Sequence, residues 1–225
     1  MIKAIFSDFD GVIVDSEVLM VESNEKFMKK MELPYDEQEL KNLIGSSPQM
    51  DLWHKVYEHA NAPYSYEVFR EHLWEHRAHV RKLNYKEIMF PDVPKAFQRL
   101  KDHGMYVAVA SSSRKESLEQ NLKNCNLYPY LDWVISGEMF KDSKPNPEIY
   151  LTCAAHFSLQ PEQCVVIEDS YYGIKAGKRA GMFVIAIKDY NFGINQSEAD
   201  MIVDTMSEAC DAILKMNENE RIGKA

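Results

Sequence analysis

From residue 105 onward the chain alternates short apolar runs with helix signals, and few folds accept that alternation. Residues 105–110 (MYVAVA), 133–135 (WVI), 164–167 (CVVI), 183–187 (FVIAI) and 201–203 (MIV) read as strands. Gly104 closes a helix before the first of them, and helix signals separate the rest. Ser113-Arg114-Lys115-Glu116 has capping-box spacing, Asn146-Pro147 opens a helix, residues 170–180 form a short one stopped by Gly181, and a last helix starts at Ser207. Parallel strands need crossovers, which helices supply, so a mostly parallel α/β sheet covered on both faces is expected.

Residues 3–8 (KAIFSD) make one further strand, after which the texture changes. Residues 16–31, 36–43, 47–60 and 65–83 carry helix signals only, with starts at Ser47-Pro48 and Ser65. Phe69, Leu73, His76, Val80 and Leu83 form an apolar stripe interrupted by one His. The expected division is a core of residues 1–15 and 87–216, a helical cap inserted at 16–86, and a polar tail at 217–225.

A formal net charge of −9 argues against binding a nucleic-acid backbone, which needs clustered Lys and Arg. The four cysteines stand far apart with no C-x-x-C spacing, as expected of small buried residues in a reducing compartment. The N-terminal residues lack a signal-peptide pattern and no apolar run is long enough for a bilayer, so a cytoplasmic protein without membrane contact is expected.

The chemistry sits where strands end. The first apolar run leads into Asp8, with Asp10 two residues on and Gly11 free to turn the chain. Ligands of open α/β sheets bind outside the carboxyl ends of the strands. Converging carboxylates repel unless a cation joins them, and oxygen ligands near a phosphate suit Mg²⁺. Ser111 follows the 105–110 run, where its hydroxyl and the neighbouring N–H groups can hold phosphate oxygens. Lys144 precedes the rigid Pro145-Asn146-Pro147, and Glu168-Asp169 end the 164–167 run.

These pieces, DFDGVIVDSE, Ser111, the Lys of SKPNPEIY and the Glu-Asp of VVIEDS, stand in the order of the four motifs of the haloacid dehalogenase superfamily. Within it the chain resembles the β-phosphoglucomutase-like branch, which includes sugar-phosphate phosphatases. The resemblance implies a Rossmann-like core, a four-helix cap, and Mg²⁺-dependent phosphoryl transfer. It implies Asp8 as nucleophile and Asp10 as general acid and base. Ser111, Ser112 and Lys144 would hold the phosphoryl group. Asp8, Asp169 and the Asp10 carbonyl would hold Mg²⁺, with Glu168 as a direct or outer ligand. The same resemblance points to Gly45 and Ser46, and to Glu17 and Met20 near the hinge, as residues facing the substrate.

Each assignment has a plainer reading. A Ser cluster before a helix is ordinarily a cap, which suits Ser113 better than Ser111. His76 reads as a satisfied core histidine, and Trp53 and Trp74 as packing. A mutase needs cationic groups for a second phosphate; its cap places a His where this chain has Met20, and a basic residue where it has Ser46-Ser47-Pro48-Gln49. Arg77 and Arg81 are the remaining cap cations weighed for that role. The sequence therefore points to a monomeric phosphatase of small phosphorylated metabolites, with a mutase second and a non-catalytic binder third.

Overall fold

The computed structural model describes residues 1–46, 51–80 and 84–223, without the side chains of residues 51 and 77–80. The helix start at Ser47-Pro48, the stripe positions Val80 and Leu83, and the Arg77 and Arg81 side chains lie outside that description.

Among the described residues six strands form one sheet: β1 (Ala4–Ser7), β2 (Tyr106–Ser111), β3 (Trp133–Ser136), β4 (Cys164–Glu168), β5 (Phe183–Ile187) and β6 (Met201–Val203). Their order is β3-β2-β1-β4-β5-β6 and every pair is parallel. β1 is central, with Ile5 opposite Val107 on one side and Val165 on the other. The period-two alternation of side chains divides the core into two layers. Ile5, Val107, Val109, Val165 and Ile167 face α5 (Val93–Asp102), α6 (Lys115–Asn124) and α9 (Met206–Ile222). Phe6, Ala108, Ala110, Val166 and Val184 face α7 (Glu148–His156) and α8 (Tyr171–Arg179).

Between β1 and α5 the chain forms α1 (Glu17–Lys30), α2 (Glu37–Lys41), α3 (Asp51–His59) and α4 (Tyr66–Val80). These helices bury a separate apolar cluster around Phe27, Met28, Leu40, Trp53, Phe69 and Leu73. Burial of each such side chain contributes roughly 1.5–3 kcal/mol, enough in sum to hold the helices to one another. His76 donates from Nε2 to the Ser23 carbonyl at 2.9 Å and packs on Phe27, the satisfied histidine expected from the stripe. The chain leaves and re-enters the core along two paired segments. Asp15 N donates to Ile88 O at 2.8 Å, and Phe90 N donates to Ile13 O at 3.0 Å.

Some local expectations shift. The helix expected at 36–43 shortens to α2: Asp36 caps its start by accepting from Glu39 N at 2.8 Å, and Asn42 ends it. Pro147 takes the cap position of α7, while Asn146 Oδ1 still accepts from Glu148 N. α6 starts after Arg114, so Ser113 is not its cap. Residues 217–222 are no loose tail: α9 continues to Ile222, and the buried Asn217 side chain accepts from Ile2 N and donates to Ile2 O. A single amide thus satisfies both backbone groups that precede β1, which long-range packing makes available and local composition hides. All four cysteines are buried and unbridged.

Candidate active site

Asp8 follows directly on β1, and its backbone N–H donates to Ile167 O at 2.9 Å, fixing it beside the end of β4. Its Oδ1 accepts from Phe9 N at 2.8 Å. Gly11 then turns the chain at φ +72°, and a Cβ there would lie 2.0 Å from Asp169 Oδ2. The turn therefore needs both the left-handed backbone and the missing side chain.

Lys144 is 3% exposed and its three ammonium protons have three acceptors. They are Ala110 O at 3.0 Å, Glu168 Oε1 at 2.6 Å and Asp8 Oδ1 at 3.2 Å. The Lys144–Pro145 peptide bond is cis. The loop between β3 and α7 places a buried lysine between two buried carboxylates at the strand ends.

Oxygens of Asp8, Glu168 and Asp169 lie within 4.8 Å of one another. Three carboxylates against one ammonium leave two uncompensated negative charges, the charge of one divalent cation. Burial pushes the Asp8 carboxyl up to about 8, with Lys144 opposing and Glu168 adding to the rise. Burial also raises Asp169 well above its ordinary value, and Glu17 and Glu168 reinforce the shift. Glu168 differs: burial works to raise it, but Lys144 and the hydrogen bonds it receives outweigh burial and lower it. Burial likewise opposes the Lys144 ammonium, and Asp8 with Glu168 overrules it and raises its pKa. The shortage of positive charge is therefore concentrated on Asp8 and Asp169. An all-oxygen, anionic, largely buried set of this kind fits Mg²⁺.

Asp10 is held by two hydroxyls. Ser16 donates to Oδ1 at 2.7 Å and Ser113 donates to Oδ2 at 2.9 Å. The expected cap residue Ser113 is thus turned toward the acid, while Ser111 Oγ accepts from Ser113 N at 3.0 Å. Ser111 and Ser112 stand at the end of β2, on the pocket wall.

The pocket lies between this sheet edge and the helical segment. Asp8, Asp10 and Ser111 through Arg114 form its floor; Glu17, Met20, Gly45 and Ser46 are on its wall. Gly45 also brings the inserted segment close to the core: at φ +70°, a Cβ there would lie 2.3 Å from Ser170 Cβ. Ser46 Oγ is already engaged, donating to Leu43 O.

Two residues escaped the sequence reading. Trp74 was assigned to packing, yet it lines the pocket and carries the Arg114 guanidinium 4.4 Å from its ring centre. Tyr150, with its hydroxyl 2.7 Å from Glu168 Oε1, sits behind Lys144. Only the Tyr at the end of SKPNPEIY hinted at it, and an apolar helix position offers no sign that a phenol will meet a carboxylate. Trp53 is wholly buried, as expected.

Comparison with known proteins agrees with this architecture. Residues 4–187 match the haloacid dehalogenase-like hydrolase family. A phosphorylated carbohydrates phosphatase of Thermotoga maritima is 30% identical over 180 residues, covering 80% of this chain and 82% of the relative. Hexitol phosphatase B of Escherichia coli is 32% identical over 193 residues, covering 83% of each. The crystal structure of a β-phosphoglucomutase from Clostridium difficile superposes with a TM-score of 0.82 at 25% identity, over 99% of both chains. Among the described residues, no helix is long and apolar enough to cross a membrane. With a parallel sheet, acids and a lysine gathered at its carboxyl edge, and a match spanning most of its length, this chain is an enzyme that belongs to the haloacid dehalogenase-like hydrolase family.

Proposed function

We propose that the protein is a Mg²⁺-dependent phosphatase of small phosphorylated metabolites, sugar or polyol monophosphates in particular. The observation that carries this reading is the buried set of Asp8, Lys144 and Asp169 opening onto a pocket roofed by helices. The activities named for the two relatives, on phosphorylated carbohydrates and hexitol phosphates, support the substrate class.

In this scheme Asp8, Asp169 and the Asp10 carbonyl would hold Mg²⁺, which would supply charge compensation between the carboxylates and the phosphate. A carboxylate oxygen of Asp8 attacks phosphorus and the ester bond breaks. Asp10 gives a proton to the departing alcohol. Lys144 and the N–H groups around Ser111 and Ser112 balance charge on the transferring group. Asp10 then takes a proton from water as the water oxygen bonds to phosphorus; the bond from phosphorus to Asp8 breaks, which frees phosphate and restores the carboxylate. Closure of the helices over the pocket excludes bulk water from the first step.

A panel of phosphate esters tests the reading, with free phosphate measured alongside conversion of β-glucose 1-phosphate. Phosphate release from hexose or hexitol monophosphates is the expected result. The likeness to a β-phosphoglucomutase structure supports a mutase as second reading. Formation of glucose 6-phosphate with little free phosphate selects it. Binding without turnover of any ester selects a non-catalytic relative.

A further inference from the structure

We propose that Tyr150 is a positioning residue which, together with Lys144, saturates Glu168, so that Glu168 anchors Lys144 and the divalent ion is left to Asp8, Asp169 and the Asp10 carbonyl. The inference rests on the metal-dependent reading above and narrows it.

Glu168 lies within the acidic cluster, and by proximity alone it would be counted a metal ligand. Its oxygens are already taken. Oε1 accepts from Lys144 Nζ at 2.6 Å and from Tyr150 Oη at 2.7 Å. Oε2 accepts from Asp169 N at 3.1 Å, Ser170 N at 3.3 Å and Ser170 Oγ at 3.0 Å. A carboxylate offers about four lone-pair sites, and these five donors occupy them. The carboxylate also fills the space left by the missing side chain of Gly173, on the first turn of α8, where a Cβ would come within 1.8 Å of Oε1. Among the described residues, by contrast, no donor reaches Asp8 Oδ2 or either carboxylate oxygen of Asp169.

Tyr150 holds the ion pair from two sides. Its ring centre is 5.2 Å from the Lys144 ammonium while its hydroxyl meets the partner carboxylate. Both Tyr150 and Glu168 are 0% exposed, so water cannot replace either contact. A lysine stem has four rotatable carbons, and a saturated, immobile acceptor removes that freedom. The ammonium then points at Ala110 O, Glu168 and Asp8 in one arrangement, ready for the incoming phosphate.

Tyr150→Phe keeps the ring and deletes the donor. The readouts are Mn²⁺ binding to the metal-free protein, followed by EPR, and the Kd of inorganic phosphate measured with Mn²⁺ present. If Tyr150 acted by orienting a metal-ligating Glu168, its loss would weaken the metal about 10–100-fold. The expected result is a Mn²⁺ Kd no more than threefold weaker than the parent's, with phosphate binding weakened about five- to tenfold. A greater loss of Mn²⁺ affinity overturns the inference, and so does an unaltered phosphate Kd. Should the variant not fold, crystals of the unaltered protein soaked with Mn²⁺ decide by anomalous scattering. Glu168 oxygens beyond about 2.5 Å from the ion support the inference, and an oxygen within that distance overturns it. No Mn²⁺ at Asp8 and Asp169 overturns the metal-dependent reading itself, and this inference with it.

Discussion

The guanidinium of Arg114, on the core, lies 4.4 Å from the ring centre of Trp74, on the last helix of the inserted segment. The two residues face each other across the pocket, so the contact exists only while helices and sheet are together. An exposed cation–π pair contributes about 0.5–1 kcal/mol. Trp74→Ala and Arg114→Ala are each expected to raise KM several-fold. In the double variant the losses should not add, leaving a coupling of about 0.5–1 kcal/mol in kcat/KM. Strict additivity would show that the pair does not act as a unit.

Asp8 is the position at which activity and stability should separate. Asp8→Asn removes the proposed nucleophile and also a carboxyl that burial disfavours. Phosphate release is expected to fall at least about a thousandfold. The melting temperature in EDTA at pH 8 should stay level or rise. Residual turnover above a few percent of the parent's would move the chemistry to another group.

The raised carboxyls give the metal-free protein a pH dependence of definite sign. Burial lifts Asp8 from 3.8 to about 8 and Asp169 well above 3.8. A carboxyl raised by folding favours the native state while protonated. Its contribution is complete below about pH 4 and is lost as the pH rises through the folded value. Glu168 has the opposite sign: lowered by folding, it contributes above its ordinary 4.5 and loses that contribution only as the pH falls. Between about pH 5 and 8 the first two dominate, so thermal stability in EDTA should decline with rising pH. Saturating Mg²⁺ should abolish the decline. A scanning-fluorimetry series from pH 5 to 8, with EDTA and with Mg²⁺, checks both halves; a level curve in EDTA contradicts the charge argument.

Gly45 sets how near the helices come to the core. Gly45→Ala puts a methyl group into contact with Ser170 and strains a backbone at φ +70°. The left-handed conformation costs an alanine about 1–2 kcal/mol, which the molecule relieves by withdrawing the loop. The expected outcome is a KM raised about tenfold with a melting temperature lowered by only a few degrees. An unchanged KM would mean that the 45–170 approach plays no part in substrate binding.

The elements themselves were legible from letters, because apolar runs and caps are local signals. Asp8, Ser111, Lys144 and Asp169 were legible for a related reason. Asp8, Ser111 and Asp169 end or follow strand-like runs, whose ends parallel strands bring to one edge, and Lys144 was marked by the prolines after it. Asp8 and Asp10, by contrast, do not simply share a side of an extended chain. The strand stops at Ser7, Gly11 turns the backbone, and the hydroxyls of Ser16 and Ser113 orient Asp10.

What the sequence determined by itself was therefore an α/β sheet with acids and a lysine at its carboxyl edge, since short-range spacing encodes strand, turn and cap. Tertiary structure decided the strand order, the role of Ser113, the docking of Asn217 on Ile2, the Trp74–Arg114 contact and the enclosure of Glu168 by Tyr150. The physical reason is the same throughout. Each of these relations joins groups from separate elements, and which donor meets which acceptor is set by packing that no local pattern records.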